Sequence, residues 1–145
     1  MKKYILSFLV ATLLMSGSVF ADGYIATYSM KVSNPQAFAK EMDNLMASDW
    51  GKTFPADMSF VHYAFNGYDD ATHGVIVNYA NEEDMANGTS LFYQPAFGEF
   101  LGKTAAYTEN VEQSLHAKIL TGGNPAPEMN NVYTIYRMKV KNPKA

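Results

Sequence analysis

From Tyr24 to Val32 the chain alternates, with Tyr24, Ala26, Tyr28, Met30 and Val32 on one face and Thr27, Ser29 and Lys31 on the other. That period of two is the mark of a half-buried strand. At Asn34-Pro35 the period changes. Asparagine is a favoured N-cap and proline suits the first helical position, and Phe38, Met42, Leu45 and Met46 then recur down one helical stripe. The same junction is written a second time. Placing Met30 on Met138 also superposes Tyr28 on Tyr136, Lys31 on Lys139, Val32 on Val140, Asn34 on Asn142, Pro35 on Pro143 and Ala37 on Ala145, so that seven of ten consecutive positions agree. Chance does not produce that agreement in a strand of ordinary composition, and Val132–Val140 is expected to repeat the first strand.

The remaining elements follow from the same rules. Met58 to Phe65 and Gly74 to Tyr79 read as strands joined through Asn66-Gly67, a hairpin signal. Asn81 caps a short acidic turn, Glu82-Glu83-Asp84, which Asn87-Gly88 is expected to interrupt. A further helix carries Tyr93, Phe97, Phe100 and Leu101 on one face, with Pro95 tolerated near its start. Tyr107 to Leu120 is a long fourth strand, and the stretch DWGKTFPAD after Ser48 reads as a loop. The order is β-α-β-β-α-β, which predicts an α+β fold: a ferredoxin-like unit with one four-stranded antiparallel sheet and two helices on one face. Residues 122–131, with Gly122-Gly123 and two prolines, read as a linker, and residues 132–145 as the start of a second, incomplete unit. On that reading the chain is part of a longer protein of roughly 230 to 250 residues.

Ahead of the unit at residues 22–121 stand Lys2 and Lys3, an apolar run from Tyr4 to Met15, and small residues ending in Val19-Phe20-Ala21. This is the plan of a secretory signal peptide over residues 1–21, and the apolar run is shorter than the ~20 residues that cross a bilayer. The product is expected to be periplasmic or secreted, with no membrane attachment after cleavage. Removing the leader leaves nine basic and fourteen acidic residues, a net charge of −5. Nucleic acid is a poor partner for such a surface, because it is bound through clusters of lysine and arginine. There is no cysteine, which excludes disulfides, thiolate chemistry and cysteine-based metal sites.

The strand-Asn-Pro-helix start, the element order and the second copy resemble the dimeric α+β barrel superfamily, in particular tandem members whose two halves form one barrel. That superfamily includes antibiotic-biosynthesis-type monooxygenases, haem-degrading enzymes, muconolactone isomerases and stress-responsive barrels, so the resemblance implies a fold and leaves the chemistry open. It implies a cleft between sheet and helices or inside the barrel. The residues expected to line it are Tyr28, Met30, Phe60, His62, Val77 and Tyr79, with Trp50, Phe54 and Phe97 near the mouth; Trp50, Phe60, His62, Tyr79 and Phe97 are the ligand-binding candidates. It also implies self-association through the sheet.

Histidines are the only near-neutral acid–base groups, and there are three. His62, mid-strand between Val61 and Tyr63, is the catalytic candidate, although the commoner role for a lone strand histidine is a hydrogen-bonded structural one. His73 reads as a solvated loop residue at the hairpin exit, and His116 as part of a polar strand face with Ser114 and Lys118. No pair has metal-ligand spacing, Asp69-Asp70 lacks the further oxygen donors of a calcium loop, and phosphate loops and nucleophile elbows do not occur. No cofactor is implied. Ten tyrosines, nine phenylalanines and nine methionines supply core and suit a pocket for a small apolar molecule. The expectation is an exported barrel protein that binds a small apolar or aromatic ligand. The alternatives are a cofactor-independent monooxygenase-like enzyme assisted by His62 or Trp50, and a self-associating structural envelope protein.

Overall fold

The computed structural model describes residues 23–119, 122 and 134–141. The expected leader and nearly all of the expected linker lie outside the described residues. The elements are β1 (Tyr24–Val32), α1 (Pro35–Ala47), α2 (Asp49–Thr53), β2 (Ala56–His62), β3 (His73–Tyr79), α3 (Glu82–Leu91), α4 (Pro95–Thr104) and β4 (Thr108–Ala117). They form an α+β fold around one antiparallel sheet in the order β2-β3-β1-β4.

The opening junction forms as its residues dictate. Asn34 Oδ1 accepts from Ala37 N at 3.1 Å, and Pro35 takes the first turn, where its missing N–H leaves nothing unsatisfied. The stripe residues Phe38, Met42 and Leu45 are buried. They meet Ala26, Met30 and Val32 of β1 and Val75, Val77 and Tyr79 of β3 in a single core. Val77 and Tyr79 are almost wholly enclosed, at 0% and 1% exposure, and burying each such side chain contributes about 1.5–3 kcal/mol.

Three local features depart from the sequence reading. The stretch read as a loop after Ser48 contains α2, a five-residue helix too short to show a period. Helix α3 runs through Asn87-Gly88 unbroken, with Gly88 buried against the sheet: a Cβ there would stand 2.6 Å from Tyr79 Cε1. The β2–β3 connection spans residues 63–72 and is closed at its base by Tyr63 N to Thr72 O at 2.9 Å, with Gly67 at φ +61°, the left-handed conformation that glycine tolerates.

The face of the sheet away from the helices carries small polar groups. Thr27 Oγ1 meets Ser114 Oγ at 2.6 Å and Ser29 Oγ meets Tyr63 Oη at 3.0 Å, the Tyr63 ring lying across Gly74 where a Cβ would stand. Of the expected repeat of β1, Thr134–Val140 is described, and it forms no strand. Ile135, Tyr136, Met138 and Val140 are 60–78% exposed. An alternating pattern supplies a face to bury, but a strand also needs a neighbouring ladder, and this segment has none. An ion pair joins its Arg137 to Glu112. Arg137 is the counterpart of Ser29, and Glu112 is the residue that Ser29 faces across β1 and β4. No helix among the described residues is long and apolar enough to cross a membrane.

Candidate functional site

Strand alternation sends Ala26 and Tyr28 of β1 to the helix side, and the register sets Leu115 and Gln113 of β4 opposite them. Tyr79, at the end of β3, pairs with Tyr24 and projects to the same side. Above them Met85 and Thr89, one helical turn apart on α3, complete a cleft of about 300 Å³. That volume lies at the small end of the range for ligand sites. Ala26 leaves the room and Gly88 lets α3 come down on the Tyr79 ring. Leu115, 56% exposed, stands on the open side of the cleft.

Most of the lining is apolar, with a few polar groups among it. Tyr79 Oη is buried and has no hydrogen-bond partner among the described residues. Burial, and then the neighbouring Tyr28, push the Tyr79 hydroxyl up to about 12, with the Thr89 hydroxyl pulling weakly the other way. Thr89 does not reach hydrogen-bond geometry with Tyr79, and its own proton is given to Met85 O at 2.7 Å. Tyr79 is therefore neutral at physiological pH, with a hydroxyl that lacks a hydrogen-bond partner among the described residues. Burial also raises Tyr28. Gln113, across the cleft, carries both a donor and an acceptor.

Of the ligand-binding residues expected from the sequence, only Tyr79 lines this cleft. Trp50 is 4% exposed and sits in an aromatic column, stacked on Phe54 and Phe97 at 4.7 and 5.6 Å, with Nε1 donating to Leu91 O at 2.9 Å. Phe97 is half-buried in the same column, packed on Phe92 and Phe100. Phe60 lies toward the opposite end of the sheet, against Phe38 and stacked on His73 at 5.1 Å. His62, the catalytic candidate, is exposed at that end, opposite His73 in the register. Tyr79 and His73 are six residues apart along β3, about 20 Å at the usual strand rise, so His62 and the cleft do not share a site. All six expected sheet residues do lie on one face, the one the helices cover.

One of the other two histidines differs from its sequence reading. His73 is a buried strand residue, 8% exposed, because the connection ends before it and Phe60 covers its ring. Burial, and then the charge of His62, hold its imidazole below the ordinary value. The unfolded chain then binds the proton more tightly than the folded one, so stability contributed by neutral His73 is complete above the unfolded value and is lost as the pH falls toward the folded one. The melting temperature should accordingly drop between pH 7.5 and 5.5, and His73→Gln should flatten that slope; an unchanged slope in the variant would assign the dependence elsewhere. His116 Nε2 meets Ser114 Oγ at 3.0 Å on the helix-free face, in agreement with a polar strand face.

Met85, Thr89, Gln113 and Leu115 escape the sequence reading. Gln113 and Leu115 are legible in principle, since if His116 and Ser114 face one way, their neighbours face the other. The α3 residues are hidden by the expected break at Gly88.

A scan against protein-family models finds no match, and a search of curated proteins finds none either. Solved structures do match. HapK from Hahella chejuensis aligns at 10% identity over 71% of this chain and 98% of its own, with a TM-score of 0.52. An uncharacterized NIPSNAP-like domain protein from Burkholderia xenovorans aligns at 12% identity over 73% and 91%, with a TM-score of 0.50. SnoaB, a cofactor-independent oxygenase from Streptomyces nogalater, aligns at 15% identity over 74% and 100%, with a TM-score of 0.49. At such identities the likeness is one of fold: this chain has the ferredoxin-like α+β fold that it shares with HapK and the NIPSNAP-like protein.

Proposed function

We propose that this protein binds a small, mostly apolar ligand bearing a hydrogen-bond acceptor, in the cleft between α3 and the β1–β4 side of the sheet. The observation that carries the reading is the hydroxyl of Tyr79, a residue of the cleft wall, buried without a hydrogen-bond partner among the described residues. A buried hydroxyl left unpaired costs about 1–3 kcal/mol, a penalty that a ligand carbonyl, ether or phenol oxygen would relieve. Met85, Ala26 and Leu115 supply apolar surface, and Gln113 offers a second polar contact that would orient the ligand. The protein acts as an exported binding protein on this reading, export resting on the leader and self-association on the helix-free face, where Ile25, Ile76 and Val61 are only partly buried.

Tyr79→Phe tests it, because the change has opposite expected effects on stability and on binding. Without ligand the variant should be as stable as wild type or about 1 kcal/mol more stable, since the unpaired hydroxyl is removed and the ring stays. Binding of a hydroxylated aromatic fluorophore, followed by anisotropy, should weaken roughly tenfold, the worth of one buried hydrogen bond. A variant that is clearly less stable and binds the fluorophore as wild type does would show that Tyr79 Oη serves the fold and that the cleft is not the site.

A further inference from the structure

His62 and His73 come from opposite ends of the β2–β3 connection and meet as direct cross-strand partners. Their ring centroids are 5.0 Å apart with the planes at 65°, both on the helix side of the sheet. Adjacent side chains on paired strands are held with Cβ atoms about 4.5–5.5 Å apart, which fixes the separation of the two imidazoles without help from the loop. The backbone beneath them is closed by Tyr63 N to Thr72 O at 2.9 Å. The pair thus sits on rigid strand ends, the kind of support a ligating constellation requires.

We infer that His62 and His73 form a two-nitrogen site for a divalent transition-metal ion, copper(II) in preference to zinc(II). His73 is prepared for the part. Its Nδ1 lies 2.9 Å from Thr72 Oγ1, and Thr72 Oγ1 already accepts from Val32 N at 3.0 Å. Val32 N takes one lone pair of that oxygen and the other can accept from Nδ1–H; in that tautomer Nε2 is the bare nitrogen, the arrangement in which an outer oxygen orients a metal-binding histidine. The Phe60 ring, stacked on His73 at 5.1 Å and 12°, holds the imidazole plane. His62 is exposed, so it would meet the ion from the solvent side. Among the described residues no group of three or more histidine, aspartate or glutamate side chains stands ready to hold a metal, so water completes the coordination and the ion remains open to exchange. Two imidazoles with open positions suit copper(II) best, and the usual order of divalent affinities places zinc(II) behind it.

The test is titration of the full chain with copper(II) sulfate in a non-coordinating buffer, followed by calorimetry and by electron paramagnetic resonance. The wild type should take up one ion whose spectrum shows two imidazole nitrogens. His62→Ala, a change at an exposed position that should leave the fold intact, should lose at least about tenfold in affinity and show one nitrogen fewer, because the second donor no longer acts from within the same molecule. His116→Ala, on the other face, should bind as wild type does. Equal affinity in His62→Ala and wild type, loss of the site in His116→Ala, or zinc(II) displacing copper(II) at equal concentration would overturn the assignment.

Discussion

Trp50→Ala should cost about 4–5 kcal/mol, the largest loss expected of any single truncation in the chain. Removing a buried tryptophan ordinarily costs about 3–5 kcal/mol, through lost transfer energy and the cavity left behind. Trp50 is 4% exposed, and its ring lies near-parallel to those of Phe54, Phe97 and Phe92, at interplanar angles of 19°, 20° and 24°. The Nε1–H bond to Leu91 O ties α2 to the C-terminal end of α3, and its loss leaves that carbonyl with Gln94 N, at 3.1 Å, as its remaining donor. Set against the 5–15 kcal/mol typical of a domain, such a loss would leave the variant marginal. Trp50→Phe should cost less, about 1–3 kcal/mol, because the stack survives while the hydrogen bond does not. Denaturant midpoints at constant slope, read by circular dichroism, decide the matter. A Trp50→Ala variant within about 1 kcal/mol of wild type would mean that the column is not a core but a site with room to spare.

Gly51→Ala should reverse the usual sign of its substitution. In an exposed helix interior, alanine is better than glycine by about 0.8–1 kcal/mol. Gly51 is buried in α2, and a Cβ there would fall on the Cα, C and O atoms of Met46 at the bend between α1 and α2. Backbone atoms cannot yield as the end of a flexible side chain can, so the two helices must separate and the Trp50 column shift with them. A net loss of about 2–4 kcal/mol is expected, overpacking strain exceeding the gain in propensity. Gly98→Ala and Gly102→Ala are the controls. Both lie in α4 with nothing within 4 Å of the added carbon, and each should stabilise by up to about 1 kcal/mol. A stabilised Gly51→Ala would show that the α1–α2 bend opens freely.

The sequence by itself determined the elements whose causes are local. β1 is legible because alternation over nine residues has one interpretation, and the start of α1 because a cap side chain and a proline act within one turn of themselves. The βαββαβ order, and with it the α+β fold, follows from such signals in series. Where a signal is shorter than a period, as in α2, or where a residue usually found at breaks lies instead at a close approach, as Gly88 does, local rules have no purchase. Only the tertiary structure decided what the aromatic residues do. Composition makes Trp50, Phe97 and Tyr79 equivalent, since each brings apolar area; burial among other rings makes the first two core, and a buried hydroxyl with no hydrogen-bond partner among the described residues sets Tyr79 apart. The same holds for His62 and His73. They are separated in the sequence by a connection whose path no local rule specifies, and it is the antiparallel register of β2 and β3 that brings their rings together. A site made by register or by an unpaired buried atom depends on distances between chain segments, and these are settled only when the whole core has packed.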